Sequence, residues 1–293
     1  MQLGNLAGRL VLRAGGGGAG GDDAAGDDAG VIDVERASGG AFPADVAAAY
    51  ERWDELVEWA ASPEAARAEA EPYRPADLGP PSPRPRQVFA LALNYRDHAE
   101  ENRLDAPEQP SVFTKFPTAI TGPYGDIALP DGKVDWEVEL VAVIGRPARH
   151  VAAADAWRHV AGLTVGQDVS ERRMQFAGPL PQFGLAKSFP GFAPMGPWLV
   201  TPDELDDPDD LELGCRLNDE EVQKSRTSQL IFPVPELVAY LSSVVPLLPG
   251  DVIFTGTPAG VGSLRRPPRF LAPGDELVSY VAGIGEMRHR FVR

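Results

Sequence analysis

From Val88 to Arg293 the chain is a succession of short apolar runs cut by glycine and proline. "VFALALNY" (88–95) is continuously apolar and predicts a buried strand. "SVFTKFP" (111–117), "AITGP" (119–123) and "DIALP" (126–130) predict further short strands. "VDWEVELVAVIG" (134–145) predicts one long strand, "AADAWRHV" (153–160) a helix, and "GLTVGQDV" (162–169) a strand running into the helix-like "SERRMQF" (170–176). "LELGCRLNDEEVQKS" (211–225) predicts a hairpin with its turn at Asn218-Asp219. A helix is expected within "FPVPELVAYLSSVVPL" (232–247), and strands within "PGDVIFTGTPAGVG" (249–262) and "PGDELVSYVAGIGEMRHRFVR" (273–293). The polar "YRDHAEENR" (95–103) predicts a short helix or a mobile loop. Many short strands with few helices predict a β-dominated α+β fold for residues 85–293, as one domain.

The first 84 residues have a weaker pattern. "GRLVLRA" (8–14) and "GVIDVERA" (30–37) read as strands, joined by the low-complexity "GGGGAGGDDAAGDDAG" (15–30). That stretch is no phosphate-binding loop, because no Gly-Lys-Ser/Thr follows it. "FPADVAAAYERWDELVEWAAS" (42–62) is helical, with Tyr50, Trp53, Leu56 and Val57 at helical spacing. The proline-rich "PYRPADLGPPSPRPRQ" (72–87) reads as an extended linker. Residues 1–84 are therefore expected to form a small N-terminal α/β domain.

Composition narrows the function. A net charge of −16 lacks the basic footprint that nucleic acid or an anionic membrane surface requires. No run of about 18 apolar residues is present, so no membrane-spanning helix is expected. The N-terminal apolar stretch is too short for a signal peptide, and a single cysteine, Cys215, fits a reducing cytoplasm. Only four of the 27 basic residues are lysines, so each is of interest.

Within the strand 134–145, alternation places Val134, Trp136, Val138 and Leu140 on one face and Asp135, Glu137 and Glu139 on the other. Glu137 and Glu139 lie roughly 7 Å apart along a strand and can converge on one hard cation, Mg²⁺, Mn²⁺ or Ca²⁺. An exposed acidic face of an edge strand is the competing reading. Asp168 ends the strand "GLTVG". With Glu171 three residues on it fits a helix capping box, and with Arg172 and Gln175 it makes a plausible substrate wall. His98 and Glu101, at i and i+3, are either a base held in one tautomer or a surface ion pair. Lys187, in "GLAKSFPGF", suits oxyanion or carboxylate binding, and "FTGTPAGVG" (254–262) is either an anion-cradling or an ordinary tight turn. No nucleophile elbow is present, and Cys215 reads as a packing residue.

Taken in order, "LNYRDHAEE", "DWEVELVAVIG", "GLTVGQDVSERRMQ", "LAKSFPGFAPMGPWLVT", "NDEEVQKSRTSQLIF" and "PGDVIFTGTPAGVG" resemble the fumarylacetoacetate hydrolase family over nearly all of 88–293. The resemblance implies a mixed β-roll catalytic domain, dimeric, behind a small variable N-terminal domain. It implies that Glu137, Glu139 and Asp168 hold one Mg²⁺-like cation, with Mn²⁺ or Ca²⁺ as alternatives. His98 and Glu101 then look like the base dyad on a lid, Lys187 like the cation near the reacting oxygens, and Arg172, Gln175 and Thr257 like substrate contacts. The implied chemistry is hydrolysis of a carbon–carbon bond in a 1,3-diketo acid such as an acylpyruvate. The alternative is decarboxylation, isomerisation or hydration of a related 2-keto acid such as oxaloacetate, and further off a binding protein on the same scaffold. Two departures stand out. Pro190 replaces the aspartate that often follows "KSF", and the upstream aspartate ligand of the founding hydrolase is not carried onto Asp97.

Overall fold

A computed structural model describes residues 1–15 and 30–293; the Gly/Asp-rich connection expected over 15–30 lies almost wholly outside the described residues. Two mixed sheets face each other. The larger runs, from edge to edge, through Val31–Asp33, Arg9–Arg13, Gln2–Leu6, Ala193–Val200, Val160–Gln167, Val138–Ile144, Val252–Phe254, Val88–Ala92 and Ser111–Thr114. Leu78–Gly79 and Ile120–Thr121 attach to it beside Gln2–Leu6 and Ala193–Val200. The second sheet runs Glu220–Arg226, Glu212–Leu217, Glu276–Val281, Gly285–Val292, Tyr124–Ala128. Parallel pairs (Val252–Phe254 with Val88–Ala92, Gly285–Val292 with Tyr124–Ala128) among antiparallel ones make both sheets mixed. This is the β-dominated α+β fold that the pattern of short strands predicts, with the mixed sheets that the family resemblance implies.

Strand Val138–Ile144 explains its own composition. Leu140, Ala142 and Ile144 enter the core between the sheets, while Val141 and Val143 pack with Tyr50, Trp53 and Leu56 beneath the N-terminal helices. With both faces covered, the strand is apolar at every position except Glu139. The N-terminal segment contributes four strands to the large sheet and is bonded to the rest where Gln2 pairs with Val200 and Leu3 with Leu199. Strand Gln2–Leu6 and its partner Ala193–Val200 were not expected from sequence; the latter carries Pro194 and Pro197, which argue against a central strand. The hairpin turn at Asn218-Asp219 is as expected, with φ of 51° and 65° at the two residues. The helix expected at 153–160 is a 3₁₀ segment, Ala153–His159. Among the described residues no helix is long and apolar enough to cross a membrane.

The long strand expected over 134–145 is broken. Val134–Asp135 pairs with Ser170–Glu171, and the ladder resumes only at Val138. Side-chain amides fill the gap: Glu137 N–H donates to Gln167 Oε1 (2.8 Å) and Val138 N–H to Gln223 Oε1 (2.9 Å). Gln223 also donates to Thr257 Oγ1 (2.8 Å) and Pro258 O (2.9 Å), tying the break to the glycine-rich turn after Phe254. Its side chain therefore does work that periodicity cannot predict.

Gln223→Leu strands several buried polar groups at once, each worth about 1–3 kcal/mol. A loss of about 2–4 kcal/mol in chemical denaturation, with unchanged m-value, is expected. A loss below about 0.5 kcal/mol would show that the amide does not hold the break together.

Candidate active site

The break sets the site. Because Glu137 leaves the regular ladder while Glu139 stays in it, and Asp168 follows the neighbouring strand, three carboxylates converge. Asp168 N–H donates to Glu137 O (2.9 Å), fixing the crossover, and Glu139 pairs with Gly166. One oxygen from each of Glu137, Glu139 and Asp168 lies within 4.8 Å of the others. All three are buried, with Glu139 and Asp168 at 0% exposure, so the exposed-edge reading does not hold. The capping-box reading of Asp168 also fails. Glu171 caps the short helix Arg172–Gln175 through Arg173 N and Met174 N, and Asp168 turns inward.

Cations meet these charges. Lys187 Nζ bridges Glu137 Oε2 (2.7 Å) and Asp168 Oδ2 (2.6 Å). Lys115 Nζ contacts Asp168 Oδ1 and donates to Phe192 O (3.0 Å). Arg172 spreads over Asp135 Oδ2 (2.9 Å), Glu137 Oε1 (2.6 Å) and Gln175 Oε1 (2.9 Å). Asp135 in turn accepts from Gly262 N (2.7 Å) and Ser263 N (3.0 Å), so the arginine is held by a braced carboxylate. Burial pushes the Glu137 carboxyl up, but Lys187 and Arg172 outweigh it and hold it down at about 2. For Lys187, burial favours the neutral amine, yet Asp168 and Glu137 raise its pKa above the usual value. Sequence reasoning missed Lys115 and Asp135. Lys115 left one signal, being one of four lysines in an arginine-rich chain.

Glu139 stands apart. Oε2 accepts from Gly256 N (2.7 Å), but Oε1 is buried without any hydrogen-bond partner. Burial, then the charges of Asp168 and Glu137, drive its pKa well above the ordinary carboxylate range. An unpartnered buried carboxylate oxygen beside two other acids is costly unless a cation joins it. The donors are all oxygens and converge from three residues, which is the set a hard divalent cation takes. The residues present therefore fit such an ion.

On the helix Arg96–Asn102, His98 Nδ1 lies 3.0 Å from Glu101 Oε2, and His98 contributes, after Lys187 and Arg172, to holding the Glu137 carboxyl down. The other histidines serve elsewhere: His289 is buried, held by Gly122 O (2.9 Å) and pushed down to about 4 by burial, while His159 bonds Pro147 O (2.9 Å) and His150 is exposed. The Thr257 hydroxyl is committed to the scaffold, donating to Val138 O (2.9 Å) and accepting from Gln223. Cys215 is buried in the core beside Gln223, and burial pushes its thiol pKa up. Beside Lys187, the Phe113 ring lies 5.3 Å from Nζ and stacks on Phe183 at 5.1 Å, giving the cluster an aromatic side.

Comparison with known proteins gives a consistent picture. Residues 87–292 match the family model described as fumarylacetoacetate (FAA) hydrolase C-terminal. The mitochondrial oxaloacetate tautomerase FAHD2A of Bos taurus is 45% identical over 214 residues, covering 72% of this chain and 68% of that protein. A crystal structure from Mycobacterium smegmatis, provisionally named an HpcE protein, is 55% identical with a TM-score of 0.88, covering 100% of this chain and 99% of that one. Maleylpyruvate hydrolase from Sphingobium sp. SYK-6, solved with manganese(II) and pyruvate, is 28% identical with a TM-score of 0.79, covering 100% and 99%.

If the triad holds a divalent cation, Glu139→Gln should weaken Mn²⁺ binding in calorimetry by more than about 100-fold. Its circular dichroism spectrum should be unchanged, because the amide is isosteric. Binding within about threefold of wild type would remove Glu139 from the ligand set.

Proposed function

The chain belongs to the fumarylacetoacetate hydrolase family, and we propose that it is a divalent-cation-dependent enzyme interconverting the keto and enol forms of a 2-keto acid such as oxaloacetate. The observation that carries this reading is the unpartnered oxygen of Glu139 within the acidic triad, in a chain that also pairs His98 with Glu101 and sets His98 among the groups acting on Glu137. Proton transfer beside an electrophilic oxygen-binding site is what keto–enol interconversion needs. The choice of reaction is supported by the 45% identity to an oxaloacetate tautomerase, against 28% to a maleylpyruvate hydrolase.

Glu137, Glu139 and Asp168 would hold the ion, Mg²⁺ or Mn²⁺, which supplies Lewis acidity toward the vicinal oxygens of a 2-keto acid. Glu101 accepts from His98 Nδ1–H, fixing the tautomer that leaves Nε2 unprotonated. His98 then takes a proton from the carbon next to the carbonyl while the carbonyl oxygen gains one from solvent, and the imidazolium passes its proton on to solvent; the reverse direction runs the same two transfers backward. Lys187 places an ammonium by the developing oxygen charge, and Arg172, braced by Asp135, keeps Glu137 ionised. Phe113 and Phe183 offer a flat apolar surface to the planar enol.

A second reading, hydrolysis of a 1,3-diketo acid, uses the same groups. There His98 would take its proton from water, and the carbon–carbon bond would break after attack on the distal carbonyl. Its support is the full-length likeness to maleylpyruvate hydrolase. The exposed Leu104, Phe116, Phe176, Leu180 and Leu185, on segments flanking the site, support a homodimer.

Chelator-stripped protein with and without Mg²⁺ or Mn²⁺ should be given oxaloacetate and a panel of acylpyruvates. Metal-dependent loss of the enol absorbance of oxaloacetate, with neither carbon dioxide nor pyruvate released, is the expected result. Carboxylic acid and pyruvate released from an acylpyruvate would install the hydrolase reading instead, and carbon dioxide from oxaloacetate a decarboxylase. In either reading His98→Ala should lower turnover by about 10²-fold or more while Mn²⁺ affinity stays within about twofold. An undiminished rate would remove His98 as the proton-transfer group.

A further inference from the structure

The helix that carries His98 is not stable on local grounds. Arg96–Asn102 is seven residues, too short to hold in water unaided, and its N-cap Tyr95 offers no side-chain hydrogen bond. The backbone on both sides is left-handed at non-glycine residues, with φ of 54° at Leu93 and 58° at Arg103. Left-handed backbone is disfavoured at residues that carry a Cβ. Something must offset this, and the contacts identify it.

Asp97 and Glu101, one turn apart, grip consecutive amides of the turn 256–260. Asp97 Oδ1 accepts from Ala259 N (3.3 Å) and Glu101 Oε1 from Gly260 N (3.1 Å). Asp97 Oδ2 also accepts from Ser225 Oγ (2.9 Å), on the strand Glu220–Arg226. The turn itself is pressed on that strand: Gly260 has φ of 106°, and a Cβ there would lie 2.2 Å from Val222 O. At the base of the helix, Arg96 donates to Ser228 O (3.0 Å) and Asn94 to Phe232 O (3.0 Å) and Thr255 O (2.8 Å). Glu101 divides its carboxylate, one oxygen on the turn and the other on His98. Asp97 has no such second duty toward the dyad; both its oxygens face the turn and the hairpin.

We propose that Asp97 is a positioning residue: it latches the helix 96–102 onto the turn 256–260 and strand 220–226, and so aims His98 at the carboxylate cluster. The aiming half of this rests on His98 as the proton-transfer group; the latch itself does not. Neither depends on which 2-keto acid is turned over.

The test compares the Mn²⁺-loaded wild type with Asp97→Ala, Asp97→Asn and Ser225→Ala. Hydrogen exchange of the amides of 99–104 should speed up about tenfold in D97A, which loses two hydrogen bonds, and less in S225A, which loses one of them. D97N should restore most of the protection, since its oxygen still accepts from Ala259 N and its NH₂ can donate to Ser225 Oγ. In turnover, kcat of D97A should fall about tenfold with KM and Mn²⁺ affinity within about twofold, and D97N should recover it. Unchanged exchange in D97A overturns the latch. Faster exchange with undiminished kcat overturns the aiming role. If His98→Ala is then equally silent, the fault lies in the reading of the dyad, and if His98→Ala is impaired, it lies with Asp97.

Discussion

A carboxylate can be buried only where its charge is met, and the structure around this site follows from that constraint. Four buried acids, Asp135, Glu137, Glu139 and Asp168, face three buried cations, Lys115, Arg172 and Lys187. Asp135 is answered by Arg172 and backbone amides, Asp168 by both lysines, and Glu137 by Arg172 and Lys187. Only Glu139 has no cation of its own and keeps one oxygen without a partner. The deficit of one charge falls on the residue at the centre of the sheet, where a divalent ion would be drawn.

The placement of the acids depends on backbone that departs from regular pairing. A continuous strand would hold Glu137 and Glu139 side by side at the fixed repeat of one face. The break at Trp136–Glu137, sealed by Gln167 and Gln223, frees Glu137 to lean toward Asp168 while Glu139 stays in register. Because Gln223 also holds Thr257 and Pro258, the strand carrying the acids and the turn that meets the dyad helix share one anchor.

What was legible in the sequence divides along the same line. Apolar periodicity located the strands Val88–Ala92, Val138–Ile144 and Val160–Gln167, and turn chemistry located Asn218-Asp219, because both are local signals. The alternation that put Glu137 and Glu139 on one face was readable for the same reason. The break in that strand was not, since it is made by glutamines 30 and 85 residues away. Lys115 and Asp135 escaped because their meaning lies in partners at separations of 53 and 37 residues. Strand Ala193–Val200 was hidden by its prolines, although it is the seam between the N-terminal strands and the rest of the large sheet.

The two halves of the site thus differ in how they are held. The carboxylates sit on central strands, covered on both faces, where geometry is set by the whole core. The histidine sits on a short, locally strained helix whose position is set by a few hydrogen bonds to one turn and one hairpin. A rigid charge cluster tolerates no displacement, because moving one ion strands its partner in a dry interior. A side chain on an element held at only a few points is displaced at far lower cost, because local opening there breaks few contacts. One fold therefore fixes the acids through the whole sheet and holds the histidine through a handful of hydrogen bonds.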